Sequence, residues 1–456
     1  MNTLHVNASD ISGGAARAAY RIHRSLVEHS SAHGLRSQMR VISKLTDDPT
    51  VIGGWPSAGL SFTDRLDRKY GGRFRSPEGF RSANTTIASI AWPPTGLGRE
   101  LEQRHHQGLL DHVHFHWLGD RTLSIEEIGR LSMPLVWTLH DQWAFCGAEH
   151  YTSPPLPGET ASSDERFAAG YSTASRPAHE SGPDLNRRTW LRKRRAWRKP
   201  IHIVCPSHWL ADCARRSTLM GDWPITVIHY PIDLNAWALC DQAQARRLLG
   251  LPAGRPLVLF GAMGGSTDPR KGADLLLEAL QRLRSQVAGT PLAQLELVVF
   301  GQSRPAQPPD LGFPIHYSGH LHDDLSLRLL YTAADVFVIP SHQDNLPNTG
   351  LEAHACGTPV VAFATGGLVD IVDHHSTAAL AEPFDPLSLA AAIRFVLEDP
   401  QRRRQLGEAA RQRAERLWDP AGVAGVYAEV YGQAMEQGRF DPVHPRYAAS
   451  NACLRI

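Results

Sequence analysis

The sequence predicts an α/β fold made of two doubly wound halves, each built on a parallel sheet. Strand-like and helix-like segments alternate through both halves. Five strand candidates in the second half each run into a polar or glycine-rich stretch. A joint near "VIHYPIDLNAW" (227–237) separates the two series.

The first series opens with "TLHVNA" (3–8), a strand candidate, and "SDISGGAARAAYRIHRSL", a glycine turn entering an amphipathic helix. "DHVHFHW" (111–117) and "MPLVWTLHD" (133–141) read as further strands, with "LSIEEIGRL" as the helix between them. "PIHIVCPS" (200–207) is another strand. Residues 46–105 read as irregular, and 152–186, rich in Pro, Ser, Gly and Ala, as a flexible insertion. The second series has strands at "PLVLFGA", "LELVVFG", "PIHYSG", "ADVFVIPS" and "TPVVAFA". Parallel strands send all five following loops to one edge of the sheet, where α/β folds bind ligands. "PAGVAGVYAEVYGQAME" (420–436) is a last helix, with Val423, Val426, Val430 and Ala434 at helical spacing. The expected organisation is an N-terminal domain (1–232), a C-terminal domain (233–418), a last helix (419–436) and a loose tail (437–456).

Composition excludes several classes. The chain has 456 residues, 42% hydrophobic and 20% charged, as in ordinary soluble proteins. A net charge of +1 gives no overall field for nucleic acid. Six cysteines without a C-x-x-C pair suit reduced thiols in a cytoplasm. The first residues lack a basic and an apolar signal region, and no apolar run approaches the roughly 18 residues of a membrane span.

Two stretches carry charge at helix starts. "STDPRKGADLLLEAL" places Arg270 and Lys271 before a helix, where free amides and the positive dipole end favour an anion such as a diphosphate. A solvated basic helix end is the plainer reading. "SHQDNLPNTGLEAHACGTPVV" (341–361) offers a second helix start, with backbone amides at Asn345, Leu346, Asn348 and Thr349 and a stop at Gly357. Asp344 precedes that helix and Glu352 lies inside it. Carboxylates repel phosphate, but they accept hydrogen bonds from hydroxyls. Phosphate together with hydroxyls means a nucleotide or a sugar nucleotide. The plain alternative is a capping Asp and an ordinary helical Glu.

"DNLPNTGLEAHACGTPVVAFATGGLVDIV" resembles the signature of retaining family 4 glycosyltransferases, which carry E-x7-E and have the GT-B fold. The resemblance extends to "GAMGGSTDPRKG", "IVCPSHWLADC" and "AEPFDPLSLAAAIRFVLEDPQRRRQLGEAARQRA". In the N-terminal half, "SGGAARAAYRIHRSL" and "MPLVWTLHDQWAFCGAEHY" are similar to the subgroup of exopolysaccharide and colanic-acid-type gene clusters. The resemblance implies two Rossmann-like domains facing a central cleft, the first on the acceptor side and the second binding the nucleotide sugar, with a C-terminal helix crossing back to the first. It implies a retaining transferase that moves a sugar from a nucleotide-sugar donor to a glycan or lipid-linked acceptor. Carried over by residue, Glu352 would meet the ribose, Asp344 the donor sugar, and Arg270 and Lys271 the leaving diphosphate. His140 would face the transferring sugar, Gly13 and Gly14 would let the first loop approach the donor, and Asp141 would orient His140 or the acceptor. This sequence departs from the pattern twice: Asp344 stands where the family has Glu, and Ala262 where it often has Arg, in a loop lengthened by "GGST".

Charge on the leaving phosphate can be met by cations and helix dipoles, so no metal and no cofactor are expected. "TDDPT" (46–50) gives no reason to invoke a D-x-D metal site. His112, His114 and His116 share one strand face and could bind zinc, but the expectation is that only His116 nears the cleft, on the acceptor side. "RRTWLRKRRAWRKP" (187–200) reads as a basic helix, either packed through its aromatics or docked on an anionic inner leaflet. The expected site is cytoplasmic, with peripheral membrane contact. Other readings are a sugar-nucleotide 2-epimerase on the same fold and a weakly active partner in a glycan-assembly complex. That no G-x-G-x-x-G follows the first strand argues against a dinucleotide dehydrogenase.

Overall fold

Among the described residues thirteen strands, all paired in parallel, form two separate sheets. The structure, a computed structural model, describes residues 1–56, 59–70, 88–119, 122–153, 165–178, 180–261, 268–321 and 323–440. The chain forms two units: residues 1–228 with the segment from Pro420 onward, and residues 229–419.

Unit 1 holds β1 (Asn2–Ser9), β2 (Arg36–Ser43), β3 (Val51–Ile52), β4 (His112–Phe115), β5 (Leu135–Thr138), β6 (His202–Cys205) and β7 (Ile225–Val227). Their order is β3-β2-β1-β4-β5-β6-β7, and every pair is parallel. The winding direction reverses between β1 and β4, which makes that gap the switch point. One sheet face is apolar: Leu4, Val6, Val113, Phe115 and Trp137 join Trp197 and Ile203 in the core. The other face is polar and equally buried, carrying Thr3, His5, Asn7, His112, His114, His116 and Thr138. The helix Pro420–Phe440 covers part of it: Tyr431 pairs with His114 at 2.8 Å and Tyr427 with Thr138 at 3.0 Å. The C-terminal helix thus crosses back to the first unit, and Ser25 donates to the Pro420 carbonyl at 2.6 Å.

Unit 2 holds β8 (Leu257–Gly261), β9 (Glu296–Phe300), β10 (Ile315–Tyr317), β11 (Val336–Ile339), β12 (Val360–Phe363) and β13 (Leu380–Ala381). The order β10-β9-β8-β11-β12-β13 is again wholly parallel, and the switch point lies between β8 and β11. The central strands β8, β11 and β12 are apolar on both faces, as a sheet covered by helices on both sides requires, while edge strand β10 carries His316, paired with Glu296 of β9 at 2.5 Å.

Several expectations change. Residues 62–70 and 97–106, read as irregular, are helices. Leu97 and Leu101 bury one face of the second, although its mean composition is polar. The strand β2 also escaped the reading, because "RSQMRVIS" opens with charged and amide residues. In the expected flexible insertion, 154–164 and 179 lie outside the described residues. Of the rest, Phe167 and Tyr171 are buried and Arg166 pairs with Asp184 at 2.8 Å, while 172–174, 178, 181 and 182 are exposed. Residues 441–456 of the expected tail also lie outside the described residues. On the last helix Val426 is 40% exposed, and the buried stripe instead runs through Val423, Tyr427, Val430, Tyr431 and Ala434. The basic helix spans Leu185–Ala196. Its Trp190 and the adjacent Trp197 are core residues, and Lys193 is fully buried. Lys193 donates to the carbonyls of Trp143, Cys146 and Gly147. Five cations around this helix stay exposed: Arg188, Arg194, Arg195, Arg198 and Lys199.

Candidate active site

In unit 2 the candidate residues converge on the switch point. "DPRKG" folds into one short turn for local reasons. Asp268 caps it by accepting from the Arg270 amide, Pro269 sits at its first position, and Gly272 closes it at φ 66°. A side chain at Gly272 would meet the Pro340 carbonyl, so this glycine allows the turn to lie against the end of β11. The turn is then stitched to the loop after β11. The His342 amide donates to the Arg270 carbonyl at 2.8 Å, and Arg270 Nη1 donates to the Gln343 carbonyl at 2.9 Å. Lys271 Nζ reaches Asp344 Oδ2 at 2.6 Å, and Arg270 lies 3.5 Å from Asp344 Oδ1. A third loop joins from β12, where the Gly367 amide donates to the Asp344 carbonyl at 2.9 Å.

Asp344 is therefore the hub of three loops. Burial would raise its pKa, but Lys271 and then Arg270 hold it below the usual carboxylate range. The Asn345 amide is already engaged by Asp344 Oδ1 at 3.1 Å. Leu346 is buried. The helix Asn348–Ala355 begins after Pro347 and stops at Gly357, which has φ 72°. Asn348 and Thr349 form its first turn. Glu352 lies on it, 2% exposed, and accepts from the Tyr331 hydroxyl at 3.1 Å. Ala262 and the "GGST" stretch, 262–267, lie outside the described residues.

In unit 1 the candidates also sit at the C-terminal edge of the sheet. Gly13 adopts φ 91° just before the helix Gly14–Glu28. Asp10 fixes this loop. Its carboxylate accepts from the Ile11 and Leu45 amides at 3.0 Å and from the Thr46 amide and hydroxyl at 2.9 and 2.8 Å. His140 follows β5, and its Nε2 pairs with Nδ1 of His116 at 3.1 Å. Burial pushes the His140 pKa down to about 4. Asp141 turns elsewhere: it pairs with His150 at 2.6 Å, accepts from Trp117 Nε1 at 3.0 Å and from the Trp143 amide at 2.9 Å. His116, Trp117, His140, Asp141, Trp143 and His150 line a small pocket. Among the described residues the lining holds the Asp141 carboxylate and no Lys or Arg; Asp120 and Arg121, next to Gly119 of the lining, lie outside the described residues.

The sequence reading missed Asp10, His150, Tyr331 and His5. Each acts through a partner distant in sequence, so spacing gives no sign of it. His5 leaves one trace, the alternation of Thr3, His5 and Asn7 with apolar neighbours along β1.

Comparison with known proteins agrees with this geometry. Residues 241–413, inside unit 2, match the family described as "Glycosyl transferases group 1". The D-inositol 3-phosphate glycosyltransferase of Xylanimonas cellulosilytica is 31% identical over 351 residues, covering 74% of this chain and 75% of that protein. The chain belongs to the group 1 glycosyl transferases. A second relative of the same description, from Thermobispora bispora, is 33% identical over 227 residues, covering 47% of this chain and 51% of its own. Among solved structures, sucrose-phosphate synthase from Thermosynechococcus elongatus gives a TM-score of 0.63 at 19% identity, covering 95% of this chain and 99% of that one. Anabaena HepE in complex with UDP and glucose gives 0.60 at 16% identity, covering 95% and 100%. These likenesses establish the GT-B fold for a group 1 glycosyltransferase.

Proposed function

We propose that this glycosyltransferase takes a sugar from a nucleotide-sugar donor and passes it, with retention of anomeric configuration, to a glycan or lipid-linked acceptor in cell-surface polysaccharide assembly. The observation that carries the reading is the Arg270–Lys271–Asp344 cluster beside a helix start and Glu352, at the switch point of unit 2. As the anomeric bond to phosphate breaks, negative charge grows on the leaving nucleoside diphosphate. Lys271, Arg270 and the amides of Leu346, Asn348 and Thr349 stabilise it, with the Asn345 amide held by Asp344, and no metal is needed for that step. Glu352 accepts from ribose hydroxyls, and Asp344 holds the donor sugar while keeping both cations in place. Gly13 and Gly14 admit the donor phosphates, His140 faces the transferring sugar, and His116 and Asp141 belong to the acceptor side.

The HepE structure holds UDP and glucose, which supports a nucleotide-sugar donor here. The relatives' description makes a phosphorylated cyclitol the competing acceptor. The exposed cations on and after the basic helix suit peripheral contact with an anionic inner leaflet.

The deciding experiment compares nucleotide affinity with transfer rate in three variants. Glu352→Gln should weaken nucleotide binding by about 1–3 kcal/mol, as for a lost charge-assisted bond. Asp344→Asn should leave nucleotide binding intact, since it frees Lys271 and Arg270, yet cut transfer about a hundredfold. Asp344→Glu should keep or raise transfer. Wild-type transfer by Asp344→Asn would reduce Asp344 to a loop hub with no part in the reaction.

A further inference from the structure

Behind His140 lies a file of imidazoles on three adjacent strands. His5 of β1 pairs through Nδ1 with His116 Nε2 at 2.8 Å. His116 pairs through Nδ1 with His140 Nε2 at 3.1 Å. His5 is 0% exposed and His116 1%. Nε2 of His5 is buried with no hydrogen-bond partner among the described residues. The groups around the file are His112 and His114 on β4, His23 on the helix Gly14–Glu28, and Asp141 beside His140. Burial disfavours charge on every ring, so each holds one proton.

Only two proton arrangements satisfy both bonds. In one, each ring donates from Nε2 toward β1, and the last proton, on His5 Nε2, is buried with no acceptor. In the other, each ring donates from Nδ1 toward β5, and only a lone pair is left at His5. An orphaned buried N–H is rarer than an under-used acceptor, so the second arrangement wins. His140 then accepts at Nε2 and carries its proton on Nδ1.

We infer that His5 and His116 are positioning residues that hold His140 as the neutral Nδ1–H tautomer, making it a fixed hydrogen-bond donor and not a proton-transfer group. A carboxylate at the position of His116 would do the opposite, raising the basicity of His140 and pulling the proton to Nε2. The inference rests on His140 facing the sugar, as proposed above.

The test swaps the group that touches His140 Nε2. His116→Asn offers an amide donor and should keep the tautomer, with kcat lowered about threefold at most. His116→Asp offers only an acceptor and should move the proton to Nε2, with kcat down about tenfold or more and KM little changed. Nitrogen-15 NMR of histidine-labelled protein reads the tautomer directly, and His140→Gln identifies the resonance by its loss. An Nε2–H signal for His140 in the wild-type protein would overturn the inference, as would equal kcat losses in both His116 variants with no tautomer change. Unaltered transfer in His140→Gln would instead refute the sugar-facing role of His140 and leave the tautomer measurement standing.

Discussion

The two units share a topology and differ in what their sheets bury. In unit 2 the strands "LVLFG", "ELVVF", "VFVI" and "VVAF" are apolar apart from the buried Glu296 that opens β9, and the candidate charges lie beyond their C-terminal ends. In unit 1, β1 and β4 alternate polar with apolar, and the polar face is sealed in by tyrosines and helices. One unit keeps a dry sheet and gathers Arg270, Lys271, Asp344 and Glu352 at its edge. The other builds its edge from neutral imidazoles, aromatics and the bound carboxylates of Asp10 and Asp141. The same winding therefore carries a charged edge in one unit and an edge of neutral imidazoles and bound carboxylates in the other. The difference lies in side chains that the topology does not prescribe.

Acid should break this comparison most strongly. Burial pushes His23, His112 and His140 in unit 1 down to about 4. The unfolded chain binds their protons near 6.5, so their stability contribution is complete above 6.5 and is lost as pH falls toward 4. Each costs about 1.4 kcal/mol per pH unit across that window. The expected result is a urea midpoint that is flat above pH 6.5 and drops steeply below it. Hydrogen exchange, corrected for intrinsic rates, should show β1 and β4 losing protection before β8 and β11. Simultaneous loss in both units would count against the polar sheet as the weak point.

Removing the charged edge comes next in size. Lys271→Ala should weaken nucleoside diphosphate binding by about 1–3 kcal/mol, measured by calorimetry. The fold of unit 2 should hardly respond, since Lys271 is partly exposed and its pairing with Asp344 is only one of that hub's supports. Unchanged affinity would remove Lys271 from the site.

The smallest effect is expected at the basic helix. Binding to anionic vesicles should rise with anionic lipid and fall with salt, at about 1 kcal/mol per cation near the surface. Neutralising Arg194, Arg195 and Arg198 together should abolish it without changing transfer to a soluble acceptor. Vesicle binding that ignores lipid charge and salt would leave the helix as packing alone.

What could be read from the sequence follows the same division. Unit 2 was legible because its strands are short apolar runs, and because its site lies in local turns such as "DPRKG" and "DNLPNTG". The joining of Lys271 to Asp344 was not legible, since 73 residues separate them. In unit 1 the histidines of β4 stood out, and the segment read as a strand with only His116 near a cleft, but nothing in it showed what would cover its polar face. The structure shows that face buried, because Tyr427 and Tyr431 arrive from the far end of the chain. Helices 62–70 and 97–106 were hidden by charge and polarity, their buried faces being only one or two residues wide.

The return of the last helix also sets an order of assembly during synthesis. Unit 2 has all its strands and helices once Asp419 is made. Unit 1 began first, yet His114 and Thr138, paired with each other at 2.7 Å, lack the tyrosine hydroxyls that complete their bonding until Tyr427 and Tyr431 leave the ribosome. The usual N-to-C schedule of domain folding is thereby inverted, with the earliest residues waiting for nearly the last. A nascent or truncated chain ending before Tyr427 would carry a finished second unit and an unfinished first one, with a row of uncovered histidines as its signature to a chaperone or a protease.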